Sequence, residues 1–132
     1  QLIPILCVGE TLAERQQNRT ELIVQQQLEA ACQDLAVADM LKIIIAYEPV
    51  WAIGTGHVAT PQQAEDVHAF IRKLLAKHSA EVAASARILY GGSVKSDNAH
   101  ALLHCENIDG ALVGGASLNA QEFRKIAESA RR

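Results

Sequence analysis

A glutamate stands directly after an apolar run in the middle of the chain. Glu48 follows the run over 42–47, and the residues from 49 to 56 include a proline, a tryptophan and two glycines. A carboxylate at the end of a buried strand lies beside apolar walls, where poor solvation makes it a stronger base. The segment after it has the composition of a lid that closes over a site. Glu48 is therefore a candidate acid–base residue, and a surface carboxylate that begins a loop is the alternative.

Two pairs of adjacent glycines follow two later apolar runs. Gly91 and Gly92 precede Ser93, and Gly114 and Gly115 stand in a second loop. Adjacent glycines let backbone N–H groups approach an anion without interference from Cβ, and the N-terminus of a following helix adds a positive dipole. Together the two loops predict a phosphate cradle to which Ser93 could add a hydroxyl donor. A plain turn is the alternative for either pair alone.

Histidines and cysteines give weaker signals. His100 and His104 are one helical turn apart with Cys105 adjacent, a spacing that metal ligands can have. Because no further carboxylate or cysteine motif completes the set, we expect no metal site. The cysteines, which also include Cys7 and Cys32, are odd in number and form no C-x-x-C pair. This pattern indicates reduced, buried thiols in a cytoplasmic protein.

Four short apolar runs must position these residues. Strands are predicted over 3–8, 42–47, 87–90 and 110–113. Their nearly continuous hydrophobicity is typical of a parallel sheet that is covered on both faces. Because glycines follow the strands closely, the candidate residues should share the carboxyl edge of an α/β sheet, where such folds bind ligands.

Helices with recognisable start signals lie between the strands. Thr60, Pro61 and Gln63 form a capping box with a proline at the first helical position, which predicts a helix to about His78. Its core stripe should consist of Ala64, Val67, Ile71, Leu74 and Leu75.

Four further segments, a short turn and three helices, are less regular. Thr11 and Glu14 form a second capping box that opens a short polar turn. In a helix over 20–35, one face should consist approximately of Leu22, Ile23, Gln26, Ala30 and Ala31. Ser96 should cap a helix that runs through Cys105, and Asn119 should cap the last helix.

Length and composition restrict the class of protein. The 132 residues are 49% hydrophobic and carry 12 basic against 15 acidic side chains, so bulk attraction to nucleic acid or anionic lipid is not expected. No apolar run approaches the roughly 20 residues of a membrane-spanning helix. The sequence begins at Gln1 and its one methionine is Met40, so we expect it to be a piece of a longer protein.

Four motifs together resemble the bacterial triosephosphate isomerase family, over essentially the whole chain. They are CVGETL at 7–12, AYEPVWAIGTG at 46–56, YGGSV at 90–94 and IDGALVGGASL at 108–118. The resemblance implies that residues 1–132 are the C-terminal half of a TIM (β/α)8 barrel, comprising strands five to eight with their helices.

The resemblance also implies roles for individual residues. Glu48 would be the base that interconverts glyceraldehyde 3-phosphate and dihydroxyacetone phosphate, in glycolysis and gluconeogenesis, without cofactor or metal. Gly54, Ser93, Gly114 and Gly115 would bind the substrate. The lid and its latch would be Pro49, Val50, Trp51, Ala52, Ile53, Thr55, Gly56 and Tyr90.

The family's asparagine, lysine and histidine from the first half of the barrel have no matching motif here. Four parallel strands also cannot close a barrel. We therefore expect the chain alone to be inactive, and to associate with an N-terminal half or a second copy as a homo-oligomer. The alternatives are a catalytically silent half-barrel that self-associates, or a different phosphate-sugar barrel enzyme.

Overall fold

Four parallel strands form one sheet whose spatial order follows the chain. The computed structural model describes residues 2–131, and its strands are β1 (Ile5–Val8), β2 (Ile44–Tyr47), β3 (Ile88–Tyr90) and β4 (Gly110–Ala111). All three neighbouring pairs are parallel. The predicted parallel α/β architecture is confirmed, and each strand lies within its predicted range.

Seven α-helices cross between or follow these strands in the described part of the chain. They are α1 (Leu12–Gln16), α2 (Thr20–Cys32), α3 (Val37–Met40), α4 (Pro61–His78), α5 (Ala80–Ser85), α6 (Ala99–Leu103) and α7 (Ala120–Ser129). None of the helices in residues 2–131 is long and apolar enough to cross a membrane.

The best-predicted helix is α4. The Thr60 side chain accepts from the Gln63 backbone N–H at 3.1 Å, and the Gln63 side chain accepts from the Thr60 N–H at 3.0 Å. All five residues of the predicted core stripe are buried. The capping boxes at Thr11 and the cap at Asn119 are also present, because these motifs depend only on residues within one turn.

Other local predictions are wrong. In α2 the buried residues are Val24, Leu28 and Cys32, whereas Leu22 is 47% exposed. A spacing of four residues aligns these three side chains on one face, which packs against β1 and α4. The helix also ends at Cys32 instead of continuing to residue 35.

The predicted Ser96 cap is also wrong. The helix α6 begins after Asn98, whose side chain accepts from the Lys95 N–H at 2.8 Å. The Ser96 N–H instead donates to the Glu122 carboxylate on α7 at 2.7 Å. The Ser96 backbone N–H is thus bound by a residue of α7, and the helix starts two residues later than predicted.

The sheet is open at both edges. Within the described residues, β1 pairs only with β2 and β4 pairs only with β3. The side chains of Ile5 and Cys7 on β1 are exposed, so the expectation that Cys7 is buried is wrong, whereas Cys32 is buried and Cys105 is partly buried. Nothing in these residues covers the face of β1 on which Cys7 lies.

Arg72 on α4 links this helix to α5 and to the starts of β3 and β4. Arg72 on α4 donates to the Ala83 carbonyl of α5 and to the Asp109 carboxylate, each at 2.7 Å. Asp109 in turn accepts from the N–H of Ile88 at 2.8 Å. This cluster fixes the starts of β3 and β4 relative to α4.

Candidate active site

A cavity of about 590 Å³ lies at the carboxyl ends of β2, β3 and β4. It brings together the predicted base, a lid residue and both glycine loops, although these come from separate parts of the sequence. Among the predicted site residues, its wall contains Glu48, Ile53, Gly54, Ser93, Gly114 and Gly115.

Glu48 extends β2 by one residue into this cavity. Its backbone N–H donates to the Val8 carbonyl at 2.8 Å, which continues the strand pairing. Its carboxylate lies beside the Cys7 thiol: partial desolvation, and then the charge and hydrogen bonding of Glu48, raise the pKa of that thiol. Cys7 is a neighbour of the candidate base that the sequence pattern did not single out.

Hydrogen bonds hold the first part of the predicted lid, residues 49–56, against neighbouring loops. A short 3₁₀ turn over Val50–Ala52 carries the Trp51 side chain, whose indole N–H donates to the Glu10 carboxylate at 2.9 Å. The Ala52 carbonyl accepts from the Ser93 N–H at 3.1 Å. These contacts join the lid segment to the loops that follow β1 and β3.

The later part of the lid segment is more open. Gly54 and Gly56 have φ of 66° and 84°, a left-handed conformation that side chains other than glycine rarely adopt. Between them, the Thr55 hydroxyl donates to the Trp51 carbonyl. The backbone therefore turns sharply at Gly54, which is where the segment reaches the cavity.

Tyr90, the predicted latch, is fully buried beneath the site and does not line the cavity. Among the described residues, its buried hydroxyl has no hydrogen-bond partner. Burial raises the pKa of Tyr90.

The second glycine loop exposes its backbone to the cavity. The Gly114 carbonyl accepts from both the N–H and the hydroxyl of Ser117, at 2.9 and 2.7 Å. A methyl group at Gly114 or Gly115 would meet no protein atom within 4 Å. The space in front of these two residues is therefore free for a ligand to approach the main chain closely.

The sequence of this chain matches the model of a known protein family. The family model of triosephosphate isomerase matches residues 1–130. The chain belongs to the triosephosphate isomerase family. It is 56% identical to the triosephosphate isomerase of Nitrosomonas eutropha over 98% of its own length and 51% of the relative's.

Other triosephosphate isomerases give the same result. Identity is 50% to that of Ruthia magnifica and 55% to that of Pseudomonas fluorescens, over 97% and 98% of this chain. The matches cover 52% and 51% of these two relatives. The chain thus spans about half the length of the curated triosephosphate isomerases that it matches.

One buried carboxylate next to the site had no predicted role. Glu10 is completely buried, and its carboxylate accepts hydrogen bonds from Arg15 at 3.0 Å, Thr20 at 3.3 Å, Tyr47 at 3.1 Å and Trp51 at 2.9 Å. Burial, and then the charge of Glu10, raise the pKa of Tyr47. The Arg15 guanidinium also lies 4.8 Å from the centre of the Trp51 ring.

The histidines lie outside the cavity. His68 is buried on α4 with Nδ1 3.2 Å from the Asn107 carbonyl, and burial lowers its pKa to about 4. The rings of His100 and His104 stack at 4.0 Å. In residues 2–131, no three His, Cys, Asp or Glu side chains come together as a group that could hold a metal ion.

Proposed function

We propose that this chain supplies the catalytic base and the phosphate cradle of a triosephosphate isomerase. The reaction would interconvert glyceraldehyde 3-phosphate and dihydroxyacetone phosphate. The observation that carries this proposal is the cavity wall, in which Glu48 and both glycine loops meet in a chain of this family. We place the reaction in glycolysis and gluconeogenesis in the cytoplasm because of this family membership.

One carboxylate is sufficient for the proton transfer. The Glu48 carboxylate takes a proton from the carbon next to the substrate carbonyl, and the electrons of that C–H bond pass to the carbonyl oxygen to give an enediolate. The resulting carboxylic acid then returns the proton to the former carbonyl carbon. The hydroxyl proton moves from the oxygen of the deprotonated carbon to the former carbonyl oxygen, so that the carbonyl and the hydroxyl groups change places. Substrate and product are isomers, so the step needs no external oxidant or reductant.

The loops around the cavity would hold the phosphate group of the substrate. The exposed main-chain N–H groups of Gly114 and Gly115, the Ser93 hydroxyl and the backbone at Gly54 can converge on an anion. Lys95 also lines the cavity and adds a positive charge. The segment over 49–56 would act as a lid that excludes water from the enediolate.

We propose that turnover requires a second half of the barrel. Both sheet edges are open, and the matched relatives are about twice as long as this chain. An N-terminal half would pair with β1 and β4 and would supply the lysine and the histidine that the family resemblance implies. The chain alone should then show little or no isomerase activity.

Self-association is the second candidate, as a catalytically silent half-barrel. It is favoured by the same open edges and by Leu2, Ile3 and Leu118, which are 95%, 70% and 91% exposed. A second copy could cover these side chains as a homo-oligomer. Sedimentation of the 132-residue chain tests it, because a stable monomer would contradict this candidate.

A hybrid protein tests the isomerase proposal directly. The part of the Nitrosomonas eutropha relative that this chain does not match would be joined to residues 1–132, and isomerase turnover would be measured. Glu48→Gln should lower kcat by about a hundredfold or more, as expected for loss of a general base. Affinity for inorganic phosphate should change little, because the cradle loops are intact.

The conservative variant Glu48→Asp tests whether catalysis depends on the position of the carboxylate as well as on its charge. Its shorter side chain keeps the carboxylate but withdraws it from the cavity, so kcat should fall while phosphate affinity is retained. Turnover by Glu48→Gln at the rate of the parent hybrid would remove Glu48 as the base.

A further inference from the structure

Glu48 lies between two glycines on the neighbouring strands. The strand register, continued by one residue beyond Tyr47, places Gly9 on one side of Glu48 and Gly91 on the other. Two backbone hydrogen bonds of 2.8 Å support this continuation: Glu48 N–H donates to the β1 carbonyl before Gly9, and Gly91 N–H donates to the Tyr47 carbonyl. The candidate base therefore lies between two residues that have no side chain.

Neither glycine could carry a side chain with Glu48 in its present position. A methyl group at Gly9 would lie 1.8 Å from the Glu48 carbonyl oxygen, and one at Gly91 would lie 2.5 Å from Glu48 Cγ. The first conflict is with backbone and can be relieved only by moving a strand end. The second can be relieved only by moving the Glu48 side chain. The position of Glu48 thus depends on where the Gly9 peptide lies.

A side chain from α2 holds Gly9 by both of its backbone groups. The Gly9 N–H donates to Gln27 Oε1 at 2.8 Å, and Gln27 Nε2 donates to the Gly9 carbonyl at 3.1 Å. Gln27 is exposed, so water could satisfy both groups and these bonds add little to stability. Their geometric effect is larger, since two bonds from one planar amide fix both the position and the orientation of the residue they hold.

We propose that Gln27 is a positioning residue for Glu48, acting through the Gly9 backbone against which Glu48 packs. The helix that carries Gln27 is itself anchored by Val24 and Leu28, which are buried on either side of it in sequence. The catalytic consequence rests on the proposed isomerase function, whereas the positioning of Glu48 can be measured in this chain without any turnover.

The Cys7 thiol is a built-in reporter of where the Glu48 carboxylate lies. The rate of Cys7 alkylation against pH, resolved from the other cysteines by peptide mass spectrometry, would be measured for Gln27→Ala. Moving the Glu48 carboxylate away removes a negative neighbour, so the profile should shift to lower pH. Gln26→Ala is the matched control, an adjacent exposed glutamine with no such clamp, and should leave the profile unchanged.

The same measurement in chains that carry Glu48→Gln tests whether the shift in the Cys7 profile arises from movement of Glu48 or from a general loosening of β1. In Glu48→Gln chains, adding Gln27→Ala should cause no further shift in the Cys7 profile. Gly91→Ala should displace Glu48 from the other side and shift the profile in the same direction. An unchanged profile in Gln27→Ala, or an equal shift in the Glu48→Gln background, would overturn the proposal.

The hybrid protein then measures the effect on turnover. Gln27→Ala should lower kcat by roughly tenfold and change KM by less than about twofold, since a small displacement of a reacting group acts on the chemical step. In Gln27→Glu, a protonated carboxyl can replace both bonds to Gly9, because its O–H donates and its carbonyl oxygen accepts. The ratio of the variant's kcat to the parent's kcat should therefore rise as the pH falls. An inactive hybrid together with a shifted Cys7 profile would contradict the isomerase proposal and not the positioning, whereas an unaltered kcat would contradict the positioning.

Discussion

Replacing Glu10 by glutamine should destabilise the fold and loosen the lid segment together. The Glu10 carboxylate is the shared acceptor of Arg15, Thr20, Tyr47 and Trp51, and it is completely buried. Glutamine has nearly the same volume, so Glu10→Gln removes the negative charge and one acceptor oxygen without opening a cavity.

The expected loss follows from these contacts. Hydrogen bonds to a charged group contribute about 1.5–3 kcal/mol each when buried. The ion pair with Arg15 adds less than about 1 kcal/mol, since that side chain is 23% exposed. Because the glutamine oxygen can still accept from one or two donors, we expect Glu10→Gln to lower the free energy of unfolding by about 2–3 kcal/mol. Glu10→Ala, which leaves buried donors without an acceptor, should cost about 3–5 kcal/mol.

Urea unfolding provides the assay. Trp51 is the only tryptophan of the chain, so its fluorescence reports on the lid segment, while far-UV circular dichroism reports on the helices. Glu21→Gln makes the same chemical change at an exposed position of α2 and should alter stability by less than about 0.5 kcal/mol. If Glu10→Gln were as stable as Glu21→Gln, the hydrogen bonds to the buried Glu10 carboxylate would not stabilise the fold as their distances indicate.

Three further perturbations test other parts of the fold in the same urea assay. The pKa of His68 is near 6.5 in the unfolded chain but about 4 in the folded chain, so lowering the pH between these values favours the unfolded state. The free energy of unfolding of the parent should therefore fall by about 2–3 kcal/mol from pH 7 to pH 4.5, and His68→Gln should not show this loss. Equal pH slopes would contradict this. Arg72→Met should cost about 1–3 kcal/mol because it removes the hydrogen bonds from Arg72 to the Ala83 carbonyl and to the partly exposed Asp109 carboxylate. Arg72→Lys should recover less than half, since lysine lacks the fork that reaches several acceptors. Gly92→Ala would place a methyl 2.1 Å from the Tyr90 hydroxyl and should cost about 1–3 kcal/mol by overpacking, with a changed near-UV spectrum; wild-type stability would show that Tyr90 has room to move.

Local sequence signals predicted the elements well where the physical cause is itself local. The capping boxes at Thr60 and Thr11 form as predicted, because all their groups lie within one helical turn. The prediction for α2 is wrong because a weakly amphipathic helix offers several faces, and the packing of β1 and α4 selects the face of Val24 and Leu28. The Ser96 cap is wrong because the chain first makes a turn in which the Asn98 side chain accepts from the Lys95 N–H, so that α6 starts only after Asn98.

The candidate site divides in the same way. The residue types and order alone indicated Glu48, the two glycine loops and the family, and the structure places these loops around one cavity. The contacts around Glu48 could not be read from the sequence. No motif marks Gln27 as a partner of Gly9 or Cys7 as a neighbour of Glu48. These contacts arise only from the register of β1 with β2 and the packing of α2.

The sequence by itself determined the strand order, the longer helices with their main caps, the candidate phosphate loops and the identity of the candidate base. These follow from backbone propensities and hydrophobic spacing over a few residues. Only the tertiary structure decided that Glu10 is a buried acceptor for groups as distant as Tyr47 and Trp51, and that Cys7 lies on an uncovered face of the sheet. Such contacts depend on strand register and on which faces are covered, and neither is encoded within any single segment.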